Sequence, residues 1–179
     1  MALLTLTEAK EALNITGSVQ DNEVAAYLEA AVSMIESRIG PVDPATFTEV
    51  ARVNGSGTIL LQQYPVISVT SIAGVLNSSI PYLIADMYVD SELGVVQRLD
   101  RGAIRSDAYT VTYVAGRTVV PARIKQAARI LVQHLWSTQR GSGGGGARGS
   151  NEPPAGVGYS MPNRVLEMLV SDLKPPRVG

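Results

Sequence analysis

Asp86, Asp90 and Glu92 stand close together and are the nearest the chain comes to a metal cluster. Hard cations take carboxylate oxygens, but a calcium loop spreads its ligands over alternate positions with a glycine at the turn. The spacing fits no such loop, and acids on a surface hairpin are the expectation. Asp100 and Asp107 could pair as acid and base, yet nothing near them in sequence tunes either for proton transfer. The single histidine, His134, excludes a multi-histidine metal site. It lies near the end of a helical stretch beside Trp136, which suits a solvated or capping role. There is no cysteine, so disulfides, thiolate zinc sites and cysteine nucleophiles are excluded. No serine sits in a nucleophile elbow. The run Gly143–Gly146 lacks the Gly-Lys-Ser/Thr ending of a phosphate loop and does not join a strand to a helix. The residues therefore predict no enzyme, no catalytic or metal-binding residue and no cofactor.

The elements that would carry these residues read as α+β. Thr5 and Glu8 have capping-box spacing and predict a short helix near 5–13. A second helix is predicted over 21–39, with Asp21 as N-cap and Val24, Leu28, Ala31, Ile35 and Ile39 at helical spacing. Gly40 and Pro41 stop it. From there the period changes to two. Strands are predicted at 46–53, 58–62, 66–73, 82–84, 87–89, 95–99 and 109–114, with Asn54–Gly57 as a hairpin turn. They form a small antiparallel sheet or sandwich, inserted at about 44–116 in a helical domain spanning 1–140. Ala115-Gly116 leaves the last strand. Pro121 opens a third helix near 121–139, with Ile124, Ala128, Leu131 and Leu135 on its buried face. This helix is expected to pack against 21–39. Residues 141–158 have linker composition. Residues 159–179 read as a tail with a short amphipathic turn or helix and an extended end, suited to docking on another chain.

Net charge is −1, unevenly spread. Residues 1–40 carry two basic and six acidic groups, whereas residues 121–179 carry eight and three. An acidic front and a basic back can meet within one subunit, between subunits, or with an acidic partner. Arg123, Lys125, Arg129 and Arg140 give the third helix a basic side. Single-strand binding would also need stacking aromatics, and only Trp136 is near. No apolar run reaches the length of a membrane span. Residues 1–15 carry Glu8 and Glu11 where a signal peptide is basic and apolar, so a cytoplasmic protein, or one assembled in a cytoplasm, is expected.

Three stretches carry a family resemblance. The first is Leu4-Thr5-Leu6-Thr7-Glu8-Ala9-Lys10-Glu11-Ala12-Leu13-Asn14-Ile15 with Asp21-Asn22-Glu23 and the helix ending Ile35-Glu36-Ser37-Arg38-Ile39-Gly40. The second is Tyr64-Pro65-Val66-Ile67-Ser68-Val69. The third is Val111-Thr112-Tyr113-Val114-Ala115-Gly116 with Pro121, Ile124-Lys125-Gln126-Ala127 and the helix to Trp136. In this order they resemble the head–tail connector, or adaptor, proteins of long-tailed bacteriophages. Met161-Pro162-Asn163-Arg164-Val165-Leu166 looks like the end of the actinobacterial-phage members. The resemblance implies a ring, expected as a dodecamer, in the virion neck. It would bind the portal protein at the capsid vertex after assembly in the host cytoplasm. It would extend the channel through which genomic DNA passes without sequence-specific contact, and present a platform to a stopper or tail-tube protein. Tyr159, Met161, Pro162, Arg164, Val165, Leu166, Met168, Leu169 and Arg177 are the expected portal-docking residues. Glu23, Glu29 and Glu36 of one copy are expected to face Arg123, Lys125 and Arg129 of the next. The alternatives are another neck ring (a stopper or tail terminator) or a DNA-binding regulator using helix 121–140.

Overall fold

The computed structural model describes residues 3–75, 82–140 and 161–174. It is an α+β chain with two compact units, one formed by Met1–Ile39 with Val120–Gly179 and the other by Gly40–Val119.

The first unit is helical. Helix α1 (Leu6–Leu13) starts with the expected capping box. The Thr5 hydroxyl accepts the Glu8 N–H at 3.2 Å, and the Glu8 carboxylate accepts the Thr5 N–H at 2.8 Å. Asn14 ends the helix in the left-handed conformation. Helix α2 (Asp21–Ile39) ends at Gly40, whose φ of 84° suits only glycine without strain. Asp21 is not the N-cap expected of it. It is the first helical residue, and its carboxylate pairs with Lys10 at 2.5 Å. Helix α3 (Ala122–Arg140) packs on α2, and Tyr27 meets Trp136 edge-on at 5.7 Å. The Pro121 carbonyl accepts from the Ile124 and Lys125 N–H groups, so the proline stands just before the helix. Ile124, Ala127, Ala128, Leu131, Val132 and Leu135 are buried, as their spacing requires. Helix α4 (Asn163–Leu169) and a 3-10 turn, Val170–Asp172, follow and pack on α3.

The second unit is two small antiparallel sheets. One has the order β1 (Ala45–Arg52), β6 (Ala108–Ala115), β3 (Val66–Gly74). The other has the order β2 (Ile59–Leu60), β5 (Val95–Arg98), β4 (Met87–Asp90). Alternation decides which side is buried. In β6, Tyr109, Val111, Tyr113 and Ala115 point inward and pack with Ile59, Leu61, Ile72, Met87 and Val96 between the sheets. The Tyr113 hydroxyl accepts the Gln63 N–H at 3.0 Å, and burial pushes the Tyr109 phenol pKa up. Two bulges, between Val66 and Ser68 and between Val69 and Ser71, shift the register of β3 against β6. The Asn54 carboxamide closes the first hairpin by accepting from Ser56 and Thr58 N–H.

Two expectations fail here. The strand expected at 82–84 is absent, because Ile84–Asp86 coils into a 3-10 turn whose Asp86 N–H returns to the Leu83 carbonyl. The strand at 58–62 shortens to Ile59–Leu60: the Leu61 N–H still reaches the Gly94 carbonyl in register, but the Gly94 N–H turns back to the Asp90 carbonyl, so the ladder ends there.

Candidate interaction surfaces

Asp90, Asp100 and Asp107 hold backbone N–H groups. Asp90 accepts the N–H groups of Glu92 and Leu93 at 3.1 and 3.0 Å, which fixes the turn between β4 and β5. The Asp100 carboxyl is held below the usual range, first by the Gly102 N–H and then by Arg98. Asp107 accepts the Ala108 N–H at 2.8 Å, so its carboxylate is used at the start of β6. Among the described residues no group of His, Asp or Glu could hold a metal ion. Tyr82, Asp86, Arg98, Leu99 and Asp100 line an open depression in which Arg98 lies over the Tyr82 ring and pairs with Asp100. His134 is half-buried, and its Nε2 is enclosed with no hydrogen-bond partner among the described residues, which corrects the expectation of a solvated or capping side chain.

The basic side of α3 is answered inside its own unit. Asp172 receives a forked pair from Arg123, with Nε to Oδ2 at 3.0 Å and Nη2 to Oδ1 at 3.0 Å. Arg129 reaches Glu8 at 3.5 Å. The Thr5 backbone N–H, the Thr5 hydroxyl, Lys125 and Arg129 together hold the Glu8 carboxyl below its ordinary value. Of the acids expected to face these bases from another copy, Glu29 is exposed, while Glu23 and Glu36 are half-buried and already engaged.

The C-terminal segment contains the expected short amphipathic helix, and its expected extended end at 175–177 lies outside the described residues. Met161, Val165 and Leu169 are buried, and α4 lies on α3 of the same chain. Val165 and Leu169 are one helical turn apart, so a single apolar stripe makes the contact. Arg164 is exposed, and Pro162, Leu166 and Met168 are half-buried. Tyr159 and Arg177 lie outside the described residues. Sequence reasoning missed Asp172 and the Lys174 N–H, which donates to the Arg38 carbonyl at 3.0 Å. Asp172 follows the apolar stripe directly, and that position was the available signal.

A second surface carries little charge. Away from the core, the rows of the first sheet are Thr46-Val114-Ser68, Thr48-Thr112-Ser71, Val50-Thr110-Ala73 and, at its end, Arg52-Ala108. Thr48 and Thr112 hydroxyls meet at 3.1 Å. The face can pack or hydrogen-bond, and Arg52 at its end is the one group in these rows that could meet a phosphate.

The family model for head completion proteins matches residues 2–170. The chain belongs to the head completion protein family. The resemblance to head–tail connector proteins read from the sequence is thereby borne out. Its fold is similar to that of a chain in the neck of an empty gene transfer agent particle computed with C6 symmetry, with a TM-score of 0.67 at 17% identity. A chain in the virion of a native gene transfer agent particle gives a TM-score of 0.63 at 18% identity. Each similarity covers 99% of this chain and 92% of the other. Comparison with curated protein sequences gave no match.

Proposed function

We propose that the protein is a structural subunit of the virion neck, a head-to-tail adaptor that forms a ring on the portal at the capsid vertex. The observation that carries this reading is a family match over nearly the whole chain, joined to a fold shared from end to end with a neck component. The ring extends the DNA channel and gives the stopper or tail-tube protein its platform. Its work is assembly rather than catalysis. Twelve copies are proposed, and the C6 symmetry of the related neck admits twelve as well as six. The DNA-regulator alternative loses support, because Arg123 and Arg129 already hold carboxylates.

Portal contact is proposed for the exposed side of α4, through Arg164 and Met168, since Met161, Val165 and Leu169 are engaged on α3. Deleting the whole tail would uncover α3 and confuse folding with binding. The test is therefore Arg164→Glu with Met168→Asp in the full chain, mixed with portal from the same source and imaged. Wild-type protein should form rings on the portal, and the double variant should lose at least about tenfold in affinity. Wild-type protein that folds but does not associate refutes the adaptor reading. Unchanged binding by the variant refutes the role of α4.

A further inference from the structure

The segment 161–174 is held by an apolar stripe, a forked ion pair and a backbone hydrogen bond. Its covalent connection is out of proportion to that contact. Asp172 meets Arg123 in the first turn of α3. From Arg123 to Arg140 the helix is about 26 Å long at 1.5 Å per residue. About eight extended residues cover that whole length, even if α4 began at the far end. Helices packed as neighbours are ordinarily joined by roughly 2–8 residues. Twenty residues, 141–160, stand between Arg140 and Met161. Such a length can reach up to about 65 Å. That is enough to arrive at another molecule.

We propose that α4 exchanges between neighbouring copies in the ring, so that α4 of one copy lies on α3 of the next in the seat it occupies here on its own chain. The occupant is a second copy, and the structure itself shows the fit. The same Val165 and Leu169 stripe enters the same place, and only the connectivity changes. Arg123 then becomes a subunit contact after all, answered by Asp172 of the next copy rather than by acids of α2. The contact is heterologous: each copy gives one helix and receives one, which is what a closed ring needs. A covalently attached helix and one offered by a fixed neighbour are both present at high effective concentration, so assembly decides the exchange at little cost. The inference rests on the ring reading but not on portal binding.

The chain has no cysteine, which makes the test direct. Arg123→Cys and Asp172→Cys are placed together in one full-length chain. The purified protein is treated with a short bismaleimide, with and without portal, and run under denaturing conditions. Exchange gives a ladder of covalent oligomers. A single monomer band with both thiols consumed overturns it. Where the thiols do not link, charge reversal decides. Arg123→Asp and Asp172→Arg are co-expressed on two differently tagged chains. Each chain alone sets like charges against each other, whereas exchange between them restores both pairs. The mixed pull-down should match wild type and exceed either variant with itself by about tenfold. No rescue overturns the proposal. A ladder without portal association removes the portal reading and leaves the exchange. Rings on the portal without a ladder do the reverse.

Discussion

Gly116 ends β6 with φ of 134°, a conformation that side chains rarely adopt. A Cβ there would lie 2.7 Å from the Asp43 carbonyl carbon and 2.8 Å from the Pro44 Cα, with the Asp43 oxygen closer still. These are backbone atoms, and no rotamer relieves them. The strand end or the Asp43–Pro44 segment must move by about 1 Å before contacts become ordinary. Two hydrogen bonds hold that junction: Gly116 N–H to the Pro65 carbonyl at 2.9 Å and Arg117 N–H to the Val42 carbonyl at 3.1 Å. Backbone strain of about 1–3 kcal/mol and the loss of one or both bonds at about 1 kcal/mol each sum to about 2–5 kcal/mol for Gly116→Ala. For a chain of this size that is a fall in Tm of about 4–20 °C. Gly55→Ala, in the same unit, meets nothing within 4 Å and serves as the matched control. It should stay within about 2 °C of wild type. Thermal melts followed by circular dichroism, with urea titrations beside them, compare the two. Equal melting of Gly116→Ala and Gly55→Ala would refute the reasoning.

Tyr113→Phe removes the acceptor of the Gln63 N–H inside the sheet core and should cost about 1–2 kcal/mol in urea unfolding; an unchanged midpoint would mean the bond is dispensable. Leu169→Ala empties a fully buried position on α4 and should weaken its seat by about 2–5 kcal/mol. Amides of α4 would lose hydrogen-exchange protection while those of α2 and α3 keep theirs, and uniform loss would contradict a locally docked element. The Glu8 carboxyl titrates below its ordinary 4.5 in the folded chain. The folded value is the lower one, so its contribution is full above 4.5 and is lost as the pH falls through the depressed value. Thr5→Ala should bring the Glu8 value measured by NMR back upward, and an unmoved titration would break the link to the cap.

Local chemistry made much of this fold legible. The Thr5–Glu8 box, the Gly40-Pro41 stop and the alternation of Tyr109, Val111 and Tyr113 each act within a few residues, and each was found in place. The misses needed distant partners. Asp21 looks like a cap until Lys10 claims its carboxylate. Ile84 has strand propensity, yet its segment closes a turn whose position is set by Leu99 N–H bonding to the Asp86 carbonyl. Residues 161–172 form too few turns to hold a helix alone. Only the buried seat on α3 makes α4 stable, and no sequence window contains that seat. The surfaces open to partners were not legible in the sequence, because they depend on register.

Register also decides which forces are left for assembly. The sequence left open whether its acidic front meets its basic back within or between subunits. Arg129–Glu8 joins the two within the helical unit, while Lys10–Asp21 and Arg123–Asp172 pair charges inside the front and inside the back. Exposed pairs of this kind contribute about 0–1 kcal/mol each, so they orient α1 and the C-terminal segment on α3 more than they stabilise it. A neighbour drawn by these bases would have to displace partners already in place. The outward rows of the first sheet carry Thr, Val, Ser and Ala, which bind by packing and short hydrogen bonds, with Arg52 as a single charge at one end. Association between copies should therefore depend weakly on salt, with at most one ion pair at stake per junction if α4 is exchanged. Sedimentation across about 0.05–0.5 M salt, a range over which the screening length shrinks about threefold, measures it. A tenfold or greater loss of association would show that long-range charge attraction between copies holds the ring, and would return the interface to α2 and the basic side of α3.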